Sequence, residues 1–599
     1  MNSVTAALSS LIATAACAAG VYYVDNSAGS CSNSGPGTES QPYCTISAAV
    51  AAHSGAGTSI LVKPGTYREQ VTVPASGAPG DPFVIQALGG PVTVDGSDDF
   101  SGASNWVESS GGVFLAAGVN WAPMQVFVDG VRLSPSSAVP TELPPNSFRY
   151  VMPYGLYVNI GGADPGSHQT LIGRRLHGFR LSSRSFVTVA GFDVMRTDDR
   201  GIYITGASNA CTIRDNRVRF AYRHGISISG GSAALIASNT LTDNQDDGIS
   251  LVAGATGCTI EDNECARNVY PTDRRAQGIE LSGAPGNLIQ RNRFHHNQDT
   301  GEHLSAAANN NTSIQNISWS NGDHGYDRLN SMNTLSIGDV AFGNTDDGFS
   351  NEGTSPGGQM FDCVAVDNGL TTNRFDLWVD AQSSVGFVSD YNIFWNSTPQ
   401  APFKFVTTIH PTIAGYRAAS GQDALSLQAD PRFTDAAAAD FHLLAGSPAI
   451  DAATTSPAAW PATDAEGRAR LDDLEVTDSG AGPVTYADRG ALEYVPVGPP
   501  AGVGWGWAPL RPEFNPSPMR TDATLSFTTS LAGDLRVEFF DLRGRRVRVL
   551  LDRTLAPAGF HRLAFDGRDD GRSPLPTGVY FYRVQAQEGT NGGRFLIVR

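Results

Sequence analysis

Lysine is almost missing from this chain: of its 41 basic residues only Lys63 and Lys404 are not arginine. Any mechanism that needs a side-chain amine has two positions to draw on. Charge of either sign is sparse, at 17% of residues against about a quarter in ordinary soluble domains. That excludes a long coiled coil, which is built from Glu, Lys and Leu. No apolar run approaches the roughly 18 residues of a spanning helix, so no membrane span is expected. There is no C-x-x-C pair and no H-E-x-x-H, which removes the common zinc signatures. Positive excess is lacking too. The formal charge is −18, which argues against nucleic acid as a partner. With 41% hydrophobic residues over 599 positions, wholesale disorder is also excluded.

The first residues, MNSVTAALSSLIATAACAAG, are small and apolar with A-x-A at Ala16–Ala18. They are expected to be a secretory signal peptide over 1–20, and the protein to be secreted or on the cell surface. Cys17 would leave with it. Cys31 and Cys44 lie close together in a Gly/Ser-rich stretch and are expected to pair, which fits an oxidising compartment. Cys211, Cys258, Cys265 and Cys363 are read as small buried residues.

What the chain has in abundance is a repeat. A glycine followed by alternating apolar residues recurs in HGFRL, RGIYI, HGISI, DGISL, QGIEL, TGEHL, HGYDR and DGFSN, at Gly178, Gly201, Gly225, Gly248, Gly278, Gly301, Gly325 and Gly348. The spacings are 23, 24, 23, 30, 23, 24 and 23 residues. The longer step holds VYPTDRRAQ, expected to be a loop. RFDLW and PFKFV continue the phase. A second apolar stretch per repeat is followed by asparagines five apart, as in Asn239/Asn244, Asn263/Asn268, Asn292/Asn297 and Asn316/Asn321. Several short strands per period of about 23 residues, without helical periodicity, make one turn of a parallel β-helix. The glycines read as turn residues, and the asparagines as ladders that satisfy backbone groups in stacked turns.

Alternation along the strand after each glycine assigns faces. The inward column is apolar: Phe179, Ile202, Ile226, Ile249, Ile279, Tyr326, Phe349, Phe375, Phe403. The outward column reads Arg180, Tyr203, Ser227, Ser250, Glu280, His303, Asp327, Ser350, Asp376, Lys404, turning ionisable at Glu280. Arg328 and Glu302 break the apolar rule. Departures from a repeat's own pattern mark candidate functional positions, and these cluster between Glu280 and Lys404. Just before the glycines lie Asp299, Asp323 with His324, and Asp346 with Asp347. Asp323 and Asp346 share a column, about 5 Å apart. Stacked carboxylates repel, and an all-oxygen set favours calcium as the ion that relieves them. The metal candidates are Asp323, Asp346 and Asp347. The substrate-binding candidates are Glu280, Asp327, Asp376 and Arg374. The catalytic candidates are Lys404, Arg328 and His303.

The repeat resembles the right-handed parallel β-helix proteins of the pectate-lyase-like group, over roughly Val21 to Tyr494. YYVDNSAGS, PYCTISAAVAA and ILVKPGTYREQVTV resemble their N-terminal entry, with TISAAVAAH as a short capping helix. ADPRFTDAAAADFHLLAGSPAID and DRGALEYV resemble their exit. Asp346–Ser350, DDGFS, is similar to the D-D-G-F-D calcium coil of one group of pectate lyases, with serine at the last position. Phe403–Phe405, FKF, is similar to that group's lysine-bearing coil but sits one coil further on. The resemblance implies an all-β solenoid over 21–500 that acts on an acidic polysaccharide. Its best match is a calcium-assisted uronan lyase. In such an enzyme a cation or arginine neutralises the uronate, a base takes the neighbouring proton and the glycosidic oxygen leaves. Two other readings stand beside it. One is a polygalacturonase-like hydrolase using Asp198, Asp199 and His224. The other is a non-catalytic glycan-binding protein or adhesin, since a fold does not fix a function.

The tail differs. VGPPAGVGWGWAPLRP makes residues 501–514 a linker, and 515–599 is expected to be an Ig-like β-sandwich. NPSP, VEFFDLRGRRV, FDGRDDGRSPLPTGVYFYRV and RFLIV resemble FlgD-like modules and type IX secretion sorting domains. That implies contact with secretion machinery or the cell surface. From Ala501 onward the net charge is +4, leaving −22 on the rest. The protein is expected to be a monomer.

Overall fold

The computed structural model describes residues 20–495 and 512–599, except 516, 521, 530–532, 557–558 and 588. The proposed signal peptide and residues 501–511 of the linker lie outside the described residues, apart from Gly20. The chain forms two compact units, parting near residue 496. Among the described residues no helix is long and apolar enough to cross a membrane.

The first unit is a parallel β-helix of three 12-stranded sheets. Each coil supplies one short strand to each. Sheet I runs from Val21–Val24 to Val388–Asp390, and sheet III from Gly65–Tyr67 to Leu427–Gln428. Sheet II carries the recurring glycine strand, from Val71–Thr72 through His177–Ser182 to Phe403–Phe405. The antiparallel strand Thr408–His410 closes it. Stacked inward side chains, such as Ile202, Ile226, Ile249 and Ile279, form an apolar core along the axis, and a second cluster including Tyr326, Phe349, Leu377 and Phe403 fills the later coils. Helix α1 (Ile46–Ala52) is capped by Thr45, which accepts from Ala48 N–H, and it buries Ile46, Ala49 and Val50 in that core. Cys31 and Cys44 form a disulfide, and the other described cysteines are buried thiols.

The corners explain the repeat. Between sheets I and III a residue of positive φ (Asp215, Ser238, Asp262, Arg291, Gln315) precedes an asparagine. The asparagine turns inward and accepts from the corner asparagine of the preceding coil. Asn216, Asn239, Asn263, Asn292 and Asn316 are linked this way, Oδ1 of each taking both the N–H and the amide of the one before at 2.8–3.1 Å. A second ladder runs from Asn244 to Asn368 at the corner leading into sheet II. Each ladder ends on an aspartate, Asp339 or Asp376.

The recurring glycines, read from the sequence as turn residues, are not there for a positive φ. Their φ is ordinary, and the constraint is close approach. A Cβ at Gly225 would stand 2.7 Å from the Gly248 carbonyl oxygen and 3.0 Å from the ladder amide of Asn244.

Two features were not legible as repeats. Residues 97–176 leave the solenoid after Asp95 and form two small, largely antiparallel sheets around Trp106, Val126, Phe148, Leu156 and Ile172. They fold back on the coils, where Met124 N–H donates to Asp198 and Gln125 donates to the carbonyls of Thr197 and Phe220. After the short helix α2 (Ile413–Ser420), the exit segment also returns along sheet III. It buries Phe441, Leu443, Ala491 and Leu492 against Ile317, Trp319, Val340 and Val364.

The second unit packs a three-stranded sheet (Glu513–Asn515, Ala523–Thr529, Gly559–Phe565) with a four-stranded one (Arg546–Ala556, Gly533–Phe540, Gly578–Ala586, Gly589–Ile597). Its own core includes Leu525, Phe539, Phe565 and Phe595.

Candidate active site

The turns that enter sheet II stack by backbone hydrogen bonds: Asp323 N–H donates to the Asp299 carbonyl at 3.2 Å, and Asp346 N–H to the Asp323 carbonyl at 2.9 Å. This aligns the three side chains in one carboxylate column. Arginines stand on both sides. Arg274, from the 30-residue step, places Nη2 2.9 Å from Asp323 and Nε 3.7 Å from Asp299. Arg374 places Nε 3.8 Å from Asp346. Burial and the neighbouring carboxylate of Asp299 push Asp323 up to about 9, while Asp346 is held below the ordinary carboxylate range by its bond with Asp323. The column therefore retains a proton at neutral pH, with Asp323 its holder.

Beside it, on sheet II, the outward column continues Glu280, His303, Asp327, Ser350. His303 Nε2 lies 3.4 Å from Asp327 and Nδ1 3.9 Å from Glu280. Burial drives His303 down to about 4, so the ring is neutral, and neither nitrogen has a hydrogen-bond partner. Burial, and then the charge of Glu352, raise Asp327 well above the carboxylate range. His324 is also lowered to about 4 by burial. Its Nδ1 accepts the Asp347 N–H at 3.1 Å, which assigns the ring proton to Nε2, 3.7 Å from Asp323 and 3.9 Å from Glu352. These groups, with Gln277, Thr300, Leu329, Arg374 and Trp378, line a cleft of about 360 Å³. It offers neutral imidazole, protonated carboxyl and guanidinium together, an arrangement suited to acid–base work on an anion.

The structure thus unites His303, Asp327, Arg374, Asp323 and Asp346, and displaces the other candidates. Arg328 is an interior residue, 3% exposed. It pairs with Glu302 at 2.9 Å inside the solenoid, so both breaks in the apolar column answer each other. Asp376 is fully buried and accepts from the backbone and amide of Asn368. The extra residues at Gly369–Arg374 shift the phase, so Leu377 and Trp378 take the inward and outward positions assigned to Phe375 and Asp376. Asp347 lies below the column, accepting from Phe375 N–H at 2.7 Å. Lys404 is next to Trp378, its Nζ 4.2 Å above the indole, and does not line the cleft. Glu280 stands at the edge, toward His224 and Asp247, and burial raises it to about 7. Asp198 is held under the inserted residues by Met124.

Arg274, Asp299, Glu352 and Trp378 were not assigned from sequence, while His324 was among the groups that could bind substrate or transfer a proton. Glu352 was within reach of strand alternation, two residues beyond outward Ser350. Arg274 was signalled by the repeat's longest step.

A family model described as a right-handed beta helix region matches residues 129–265 and 200–399. No curated protein matches the chain. Among solved structures, one titled as the complex of XylC with xylose is 15% identical, covers 96% of this chain and 100% of its own, and has a TM-score of 0.51. Pectate lyase Pel9A is 16% identical over 79% of this chain and 96% of its own, with a TM-score of 0.44. A glycoside hydrolase is 10% identical over 65% and 95%, with a TM-score of 0.48. At 15% identity the likeness to the XylC structure speaks for the fold alone.

Proposed function

We propose that this protein processes an acidic polysaccharide laid along sheet II, and that the reaction is elimination from a uronate-containing chain. The observation that carries the reading is the placement of a neutral His303, Nε2 3.4 Å from the buried Asp327, beside an arginine-flanked carboxylate column. In this reading Arg274 and Arg374 bind the uronate carboxylate, which makes the proton on the adjacent carbon acidic. His303 takes that proton. The electron pair left behind forms the carbon–carbon double bond as the glycosidic bond breaks, and Asp327 protonates the departing oxygen.

Asp299, Asp323 and Asp346 are the residues that would hold calcium. Three carboxylates on successive coils, with Asp323 Oδ1 buried and unpartnered, suit an oxygen-seeking ion. Bound there, calcium would supply further charge neutralisation at the uronate. Export is supported by the Cys31–Cys44 disulfide. The resemblance of the C-terminal unit to sorting domains supports attachment at the cell surface.

The test is incubation with polygalacturonate, alginate and xylan, with and without chelator, following unsaturated-product absorbance and new reducing ends. Xylan is included because of the xylose in the XylC structure. A chelator-sensitive rise in absorbance is expected from a uronan. Reducing ends without unsaturation would replace elimination by hydrolysis, and binding without either product would leave a glycan-binding protein.

A further inference from the structure

The pattern His-Gly followed one coil later by Asp-Asp-Gly occurs twice in register, at His324/Asp346–Asp347 and at His224/Asp246–Asp247. The two copies stand four coils apart on the same flank, roughly 19 Å at the usual strand spacing. Asp347 Oδ2, like Asp247 Oδ2, is buried without a hydrogen bond, and the copies differ at the histidine. His324 Nδ1 is satisfied by the Asp347 N–H. His224 Nδ1 and Asp247 Oδ2 face each other at 3.0 Å with no hydrogen bond to each other or to anything else. Both belong to residues more than nine-tenths buried, His224 being 6% and Asp247 1% exposed.

Asp247 Oδ1 is already used, accepting from Gln277 N–H at 3.1 Å. Asp246 closes the group: one nitrogen of His224 and one oxygen of each aspartate lie within 4.8 Å of one another. Arg275 and Arg223 reach Asp246 only at 3.5 and 3.8 Å, and their side chains are 45% and 42% exposed, free to withdraw. Two unsatisfied lone pairs held about 3 Å apart match adjacent donors on one ion with metal–ligand bonds of about 2.1 Å.

We propose that His224, Asp246 and Asp247 form a second divalent-cation site, separate from the carboxylate column. A nitrogen donor with carboxylates suits a first-row cation, zinc or manganese. The site stands whether or not the cleft is a lyase centre.

The experiment loads the full-length protein with Zn²⁺ or Mn²⁺, desalts it, and measures metal per chain. One ion is expected in the wild type and in Asp323→Asn/Asp346→Asn. A fall of tenfold or more is expected in His224→Gln and in Asp246→Asn, with circular dichroism showing the β-helix intact. No retained metal in the wild type overturns the proposal. So does metal lost in the Asp323→Asn/Asp346→Asn protein but kept in His224→Gln. If the His224 variant fails to fold, Mn²⁺ in Asp323→Asn/Asp346→Asn is probed by pulsed electron paramagnetic resonance. A histidine nitrogen coupling upholds the site, and its absence refutes it.

Discussion

At the scale of single residues the cleft separates groups that share a chemical type but not a role. His303 and Lys404 are both outward bases on sheet II, but only His303 faces the carboxylate column. His303→Ala and Asp327→Asn are each expected to lower turnover by about 10²–10⁴-fold, the usual span of a lost general acid or base. Lys404→Ala is expected to keep turnover within a few fold and to act on KM through Trp378. A loss of more than a hundredfold in turnover for Lys404→Ala would return the lysine to the role of base. Glu302 and Arg328 test the opposite case, charges kept from solvent. Removing one partner leaves an unpaired buried charge and should cost about 3–5 kcal/mol. Replacing both, as Glu302→Ile with Arg328→Leu, copies the residues paired with them in the preceding coils, Ile279 beside Glu302 and Leu304 beside Arg328. That double variant should be as stable as the wild type or more so in urea unfolding.

At the scale of elements the corners carry the solenoid. Asn292 is fully buried; it accepts from the N–H and amide of Asn263 and donates to the Ile260 carbonyl and to Asn316. Asn292→Ala strands several of these groups in the core, at about 1–3 kcal/mol for each left unsatisfied. A total loss of at least 3 kcal/mol is expected by chemical denaturation, and a loss below about 1 kcal/mol would show that the ladder follows the coil instead of holding it. The asparagine spacing and the glycine column were both legible in the sequence because identical coils repeat identical demands. The reason for the glycines was not, since a close approach between successive coils leaves no mark in one coil's composition. Asp376 shows the limit of counting: the six residues Gly369–Arg374 form a loop, and only the pairing of Leu377 with Phe349 restores the phase.

At the scale of the whole molecule, buried titrating groups set the response to pH. Burial raises Asp198, Asp247, Glu280, Asp339 and Asp347 to about 7, with Asp488 at about 8 and Asp323 at about 9. The buried histidines His177, His224, His303 and His324 fall to about 4. Between about pH 4 and 6.5 the two sets oppose each other: the unfolded chain binds more protons at the histidines and the folded chain more at the carboxyls. Above pH 6.5 the histidines are neutral in both states, and the unfolded carboxyls are already ionised. The folded state then holds more protons, so stability must fall as pH rises. The melting temperature is expected to drop from pH 6.5 to 9, and less steeply with divalent cation present. A flat or rising profile would show that these carboxyls ionise without penalty.

The sequence by itself determined the solenoid, its period, its buried ladders and the flank on which ionisable residues gather, because each coil repeats the same local problem and its solution is written in spacing. Which of those ionisable residues meet was decided by the tertiary structure alone. Arg274 reaches Asp323 across 49 positions, Arg328 turns inward to Glu302 and Asp376 ends an asparagine ladder. These outcomes depend on loop length, on the phase of neighbouring coils and on which polar group would otherwise be buried alone, and no single coil records any of them.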